Sequence, residues 1–343
     1  MKSLAILLCL LCASAYSQIL VFNPGEGVST NVEETISSDY AGLEIQSGSV
    51  NLLSRWNSFS GPVAIGDGAS LGAQTLNLQG LSSLGVATEK ITLGKASSFK
   101  YLGSQKGELA SKIEIAAGDN VERAVIDTAG DLTVTGGIVT VSGSLIKTGE
   151  GKLTVATPDY AAGTVNTYAG NVASGRELEV AQGTLEFVAP SSVTNMLGDA
   201  LATATDSVVI GSEGKIARLD IKGGRTLCRS KYLLVKDNAQ SASINIYGGS
   251  LENVDGNATL VIGERDHSDD IAQGGASLNL FGGNVKYQYI QLASSRGGKA
   301  KLLVAGGTLS GYGLYVAHAY GTPTAENTRV HPCGEASWPP SLL

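Results

Sequence analysis

Apolar and polar residues alternate along most of this chain in short bursts punctuated by glycine. One pattern recurs: apolar, any, apolar, any, small or polar, glycine, any, apolar. It appears as LEIQSGSV (43–50), LTVTGGIV (132–139), LEVAQGTL (178–185), INIYGGSL (244–251), LNLFGGNV (278–285) and LLVAGGTL (302–309), with a copy stretched by one residue, LDIKGGRTL, from Leu219. Within each triplet the flanking apolar residues share one face of a strand and the middle residue takes the other. The middle residues are Glu44, Thr133, Glu179, Asp220, Asn245, Asn279 and Leu303, all polar except the last. Strands with one buried face are predicted, with Leu219, Ile221, Ile244, Ile246, Leu278, Leu280, Leu302 and Val304 inside and Asp220, Asn245 and Asn279 exposed.

The second glycines of the motif (Gly48, Gly137, Gly183, Gly224, Gly249, Gly283 and Gly307) mark a corner, because a chain turning sharply needs residues that tolerate positive φ and close backbone approach. The last four recur at roughly the length of one coil of a β-solenoid. A second strand follows, as in Leu260 and Ile262 or Ile290 and Leu292. Coils stacked by parallel pairing at about 4.8 Å would give a rod on the order of 60 Å long from about a dozen coils. An antiparallel sandwich also has short strands and many turns. The recurring corner, and the lack of Asn-Gly or Asp-Gly hairpin signatures, favour the solenoid.

Composition adds the compartment. Lys2, the apolar run Leu4 to Cys12 and then Ala13-Ser14-Ala15 have the layout of a secretory signal peptide over 1–17. Neither that run nor any later stretch is long enough to span a bilayer, so export is expected. Leu11 before Cys12 is a poor lipobox. Removal of the leader would leave Cys228 and Cys333, too few for a disulfide scaffold. The 45 glycines show no collagen-like triplet, and the net charge of −7 comes without any cluster of Lys and Arg. Nucleic-acid binding and adhesion to an anionic membrane both lack their electrostatic footprint.

Candidate chemistry is sparse. Ser144-Leu145-Ile146-Lys147 fits S-x-x-K, and Lys147-Thr148-Gly149 fits K-T-G, the pair of motifs in penicillin-binding serine enzymes. One lysine cannot fill both roles, and S-x-x-K requires a helix where strand residues flank a Gly-x-Gly turn. Gly149-Glu150-Gly151-Lys152 lacks P-loop spacing. The polar stretch GERDHSDD (263–270) holds Asp266, His267 and Ser268 in a row, but neighbours on an extended chain point apart, so a solvated loop is expected. His318 and His331 have no partners at ligand spacing and no zinc signature exists. No catalytic, cofactor-binding or metal-ligating residue is assigned, and no cofactor is expected.

Residues 142–188, SGSLIKTGEGKLTVATPDYAAGTVNTYAGNVASGRELEVAQGTLEFV, resemble the autotransporter-associated β-strand repeat. The matching positions are Gly143, Leu145, Lys147, Gly149, Gly151, Leu153, Asn166, Tyr168, Gly170, Gly183 and Leu185. Residues 207 to 317 resemble the related repeat of bacterial type V passengers and large exported proteins with sorting tails. Together these cover about residues 40 to 320. The resemblance implies an all-β, right-handed parallel β-helix over 18–320, exported by a Gram-negative-type bacterium and released or displayed at its surface. It implies a structural or adhesive role without catalytic residues, with surface glycans or other cell-surface proteins as partners. A carbohydrate-active enzyme, a polysaccharide lyase or hydrolase, is the alternative, since those enzymes use this fold. Residues 321–343, with half of the eight prolines, show no periodicity and are expected to be an irregular tail contributing nothing to the fold.

Overall fold

The computed structural model describes residues 18–66, 73–84, 89–118, 123–157, 163–170, 176–198, 207–253, 258–264, 274–293, 299–316, 328–332 and 335–337. The expected leader lies outside the described residues, as do Asp266, His267, Ser268, His318 and Cys333. Among the described residues the regular structure is β, apart from a 3-10 turn at Leu81–Leu84. Nearly every strand pairs in parallel with the strand one coil away, so the chain is a parallel β-helix.

From Leu145 onward each coil contributes three strands. One such coil is Ser207–Ile210, Ile216–Ile221 and Arg225–Cys228, and the next is Tyr232–Lys236, Ser241–Ile246 and Ser250–Asn253. Corresponding strands pair in register to form three sheets, called first, second and third here in coil order. The first runs from Ser29–Val32 to Gly313–Val316, the second from Gly107–Leu109 to Thr328–Pro332, and the third from Val165–Thr167 to Glu335–Ser337. In the N-terminal half another sheet, from Gln18–Phe22 to the start of Ile138–Thr148, precedes the first sheet in each coil.

Parallel register stacks like on like. Leu132, Leu153, Leu185, Leu219, Ile244, Leu278 and Leu302 form one inward column of the second sheet, each at most 1% exposed. Val134, Val155, Phe187, Ile221, Ile246, Leu280 and Val304 form its neighbour and are likewise buried. Each such side chain contributes about 1.5–3 kcal/mol relative to its exposed state. The predicted inward set is therefore placed as expected. The outward polar set is more covered than expected: Asn245 is buried and Asp220 and Asn279 are half-buried. The cause is stacking with their own counterparts in adjacent coils, described below.

The motif glycines all have positive φ, between +66° and +81°, but they do not share one corner. Gly48 opens a first-sheet strand and Gly183 a second-sheet strand, Gly137 leads into the N-terminal sheet, and Gly224, Gly249, Gly283 and Gly307 lead into the third sheet. In that last set a Cβ on Gly249 would collide with the Gly224 carbonyl oxygen, one on Gly283 with that of Gly249, and one on Gly307 with that of Gly283. These corners thus require glycine twice, for backbone conformation and for the spacing between coils.

The C-terminal segment departs from the irregular tail expected. Thr328–Pro332 pairs with Ala300–Val304, and Glu335–Ser337 with Thr308–Ser310. Backbone pairing needs no apolar periodicity, so the composition of this segment concealed it. Two outcomes follow. Removing residues 321–343 should lower both the urea midpoint and its slope, since the last coil loses paired strands on two sides. Ile244→Ala should cost about 2–5 kcal/mol of unfolding free energy by the same measurement, whereas Asn279→Ala, on the outer face, should cost less than half as much.

Candidate functional site

Among the described residues polar chemistry gathers in several places, and the first contains the S-x-x-K stretch. Ile138–Thr148 is a continuous strand, so Ser144 and Lys147, three residues apart, lie on opposite faces. Lys147 faces inward: its register partners are Ile126 on one side and Val180 on the other, both core residues. Its ammonium reaches the corner after the strand, donating to the carbonyls of Thr148 at 2.6 Å, Gly149 at 2.9 Å and Gln182 at 3.0 Å. Three N–H groups thus meet three carbonyls at the corner. Burial draws the lysine pKa down to about 7, opposed by the charges of Asp127 and Asp131. The lysine ties adjacent coils together.

The second place is the seam where the N-terminal sheet gives way to the third sheet. Asn166 Oδ1 accepts the Ile138 N–H at 3.2 Å, and Thr167 Oγ1 accepts the Thr140 N–H at 2.7 Å. The Asn166 amide also donates to Thr157 Oγ1 and to Asn195 Oδ1, and the Tyr168 hydroxyl donates to Asn195 Oδ1. Side chains therefore replace a strand ladder across one junction. The Asn-x-Tyr element singled out in the sequence has a structural task here.

The third place is the outer face of the second sheet. Its central column reads Thr154, Glu186, Asp220, Asn245, Asn279 and Leu303. Asn245 donates to Asp220 Oδ1 at 2.7 Å and Asn279 to Asn245 Oδ1 at 2.8 Å. Glu186 takes Thr154 Oγ1 at 3.1 Å, Lys152 at 3.2 Å and Lys222 at 2.7 Å. Stacking places the carboxylates of Glu186 and Asp220 on adjacent coils. Burial raises Glu186, but its hydrogen bonds and proximity to Lys222 and Lys152 outweigh this and hold it below the ordinary value. Asp220 is raised, first by burial and further by the Glu186 charge. A carboxylate pair with pKa values pushed apart is the arrangement used in acid–base chemistry. The sequence pattern identified Asp220 as outward but not Glu186 beside it, because Glu186 belongs to no copy of the eight-residue motif.

Away from these, Cys228 is a buried free thiol whose pKa burial pushes up to about 11, which makes it unreactive. Among the described residues no group of three or more His, Cys, Asp and Glu could hold a metal ion.

Two variants test the lysine. Lys147→Ala should be destabilised by several kcal/mol, because it leaves buried carbonyls unpaired and opens a cavity, while Lys147→Met should retain more stability by filling the column. For a lysine drawn down to about 7 from 10.5, the unfolded chain binds more protons between those values. Wild-type stability relative to Lys147→Met should therefore rise from pH 7 to pH 10 and be constant below pH 6, as read from urea midpoints across that range.

In comparison with known proteins, no family model, no curated protein and no solved structure matches the chain.

Proposed function

We propose that this chain is an exported, non-catalytic β-helical protein of a Gram-negative-type bacterial surface, with a structural or adhesive role. The observation that supports this most is the mutual pairing of outward polar side chains along the axis. On the first sheet Asn51 donates to Asn31 and Asn77 to Asn51, each at 2.7 Å, and on the second sheet the Asp220, Asn245 and Asn279 column does the same. Such ladders stiffen a rod and stabilise its coil spacing. They leave few outward groups poised for chemistry. Display at a surface, with glycans or surface proteins as partners, rests on the leader-like first residues and on the resemblance to passenger repeats.

A carbohydrate-active enzyme is the second reading, favoured by the Glu186 and Asp220 pair with its opposed pKa shifts. Against it, Glu186 is held by two lysines and a threonine and Asp220 by an asparagine amide, so both are engaged within the wall. The two readings separate in one assay. The purified protein, incubated with acidic and neutral polysaccharides, should release neither reducing ends nor unsaturated products. Turnover that disappears in both Glu186→Gln and Asp220→Asn would replace the adhesive reading with the enzymatic one.

A further inference from the structure

Where the chain turns from the first sheet to the second, four successive coils form a groove of about 440 Å³. That volume is within the range of small-molecule sites. The lining is mostly polar and takes one corner residue from each coil: Glu150, then Gln182, Lys215 and Gln240. The corner carrying Lys215 is the longest of the four, with five residues (211–215) against two (181 and 182) in the coil before it. Backbone bonds fix its shape, from the Gly214 N–H to the Asn238 carbonyl at 3.2 Å and from the Lys215 N–H to the Ser212 carbonyl at 3.0 Å. Ile216 and Arg218, on the strand that follows, complete the wall.

The polar side chains here face outward and are little used by the fold. Lys215 and Arg218 are both exposed, and neither joins an ion pair among the described residues. Arg218 feels the charge of Asp220 two residues along. The Asp220 carboxylate, however, is bonded by the Asn245 amide, and Glu186 beside it is held by Lys152 and Lys222. In a chain of net charge −7, two neighbouring cations without bonded counter-charges are a local departure that favours an anion. Glu150, across the groove, meets the Gln182 amide at 3.5 Å, and Gln240 is exposed. Ile216, 41% exposed, supplies an apolar patch between these groups.

We propose that this groove binds one hexuronate unit of an acidic polysaccharide. The sugar carboxylate matches the guanidinium fork of Arg218, which bonds planar carboxylates through two parallel N–H groups, and Lys215 adds a second positive charge. The ring hydroxyls meet partners of both kinds, since the Glu150 carboxylate accepts and the Gln182 and Gln240 amides both donate and accept. The C–H face of the ring lies on Ile216. An inorganic anion would leave Glu150 and the amides unused, and a neutral sugar would leave both cations without a counter-charge. The choice of a polysaccharide as the source of this unit rests on the adhesive reading, for which it names the ligand class and the site.

The test is calorimetric titration of the full chain with hexagalacturonate, with cellohexaose as the uncharged saccharide and hexaglutamate as a similarly charged peptide. Hexagalacturonate should bind, and the other two should bind about tenfold more weakly or not at all. Arg218→Gln should weaken hexagalacturonate by about tenfold or more through loss of a charge-assisted pair, and Lys215→Gln should weaken it less. Lys301→Gln makes the same change of charge at an exposed lysine in register with Arg218 three coils further on, and should leave binding unchanged. Circular dichroism melting checks that each variant keeps the fold. No binding of hexagalacturonate, equal binding of either control ligand, undiminished binding in Arg218→Gln or an equal loss in Lys301→Gln would each overturn the assignment. Attachment of the wild-type chain to bacterial or host cell surfaces, measured alongside, separates the two claims. Attachment without hexagalacturonate binding would remove the groove as a site and leave the adhesive reading, whereas hexagalacturonate binding without attachment would keep the site and remove the adhesive reading.

Discussion

The whole molecule depends on in-register parallel pairing, which sets each residue directly above its counterpart in the previous coil at about 4.8 Å. Under that constraint each position must tolerate a copy of its own kind. Apolar residues do so by forming columns such as Leu219, Ile244, Leu278 and Leu302. Amides do so because they carry both donor and acceptor, as in the Asn31, Asn51 and Asn77 ladder. Glycine does so at corners where a Cβ would strike the carbonyl above or below. Carboxylates cannot, since like charges at that spacing repel. Where Glu186 stacks on Asp220, two lysines are drawn to Glu186 and Asp220 keeps its proton to higher pH.

The same constraint explains the two exceptions to regular stacking. Lys147 occupies a core column between Ile126 and Val180, a position that an aliphatic residue would ordinarily fill. Its stem packs as an aliphatic chain and its ammonium gathers three corner carbonyls. Asn166 and Thr167 act where one sheet stops and another begins, supplying side-chain acceptors to backbone N–H groups that have lost their ladder. Both lie within the stretch that resembles the autotransporter-associated repeat. These interactions give that stretch a structural explanation: it manages a change of coil geometry.

Much of this architecture was legible in the chain, because strand alternation and positive-φ glycine leave direct marks. The inward set Leu219, Ile221, Ile244 and Ile246 followed from alternation alone. The number of strands per coil did not, since short segments such as Asn284–Lys286 carry one buried residue and no pattern. The place of Lys147 did not follow either: alternation with Leu145 puts it inside, but a lysine defaults to solvent until its acceptors are known. The acceptors include Gln182, a coil away in space and thirty-five residues along the chain. The carboxylate pair is likewise a product of stacking, assembled from coils whose separation in sequence varies.

Stacking order is therefore the claim to test, by distances between spin labels along one outward column. In a background with Cys9, Cys12, Cys228 and Cys333 all replaced by alanine, Glu108→Cys would be paired in turn with Asp220→Cys, Asn279→Cys and Leu303→Cys, which lie four, six and seven coils away in register. Pulsed electron paramagnetic resonance should give backbone-corrected separations of about 19, 29 and 34 Å, rising by about 4.8 Å per coil. Separations that fail to rise in that order, or that fall between Asp220 and Asn279 as a returning antiparallel strand would require, would contradict the stacked β-helix.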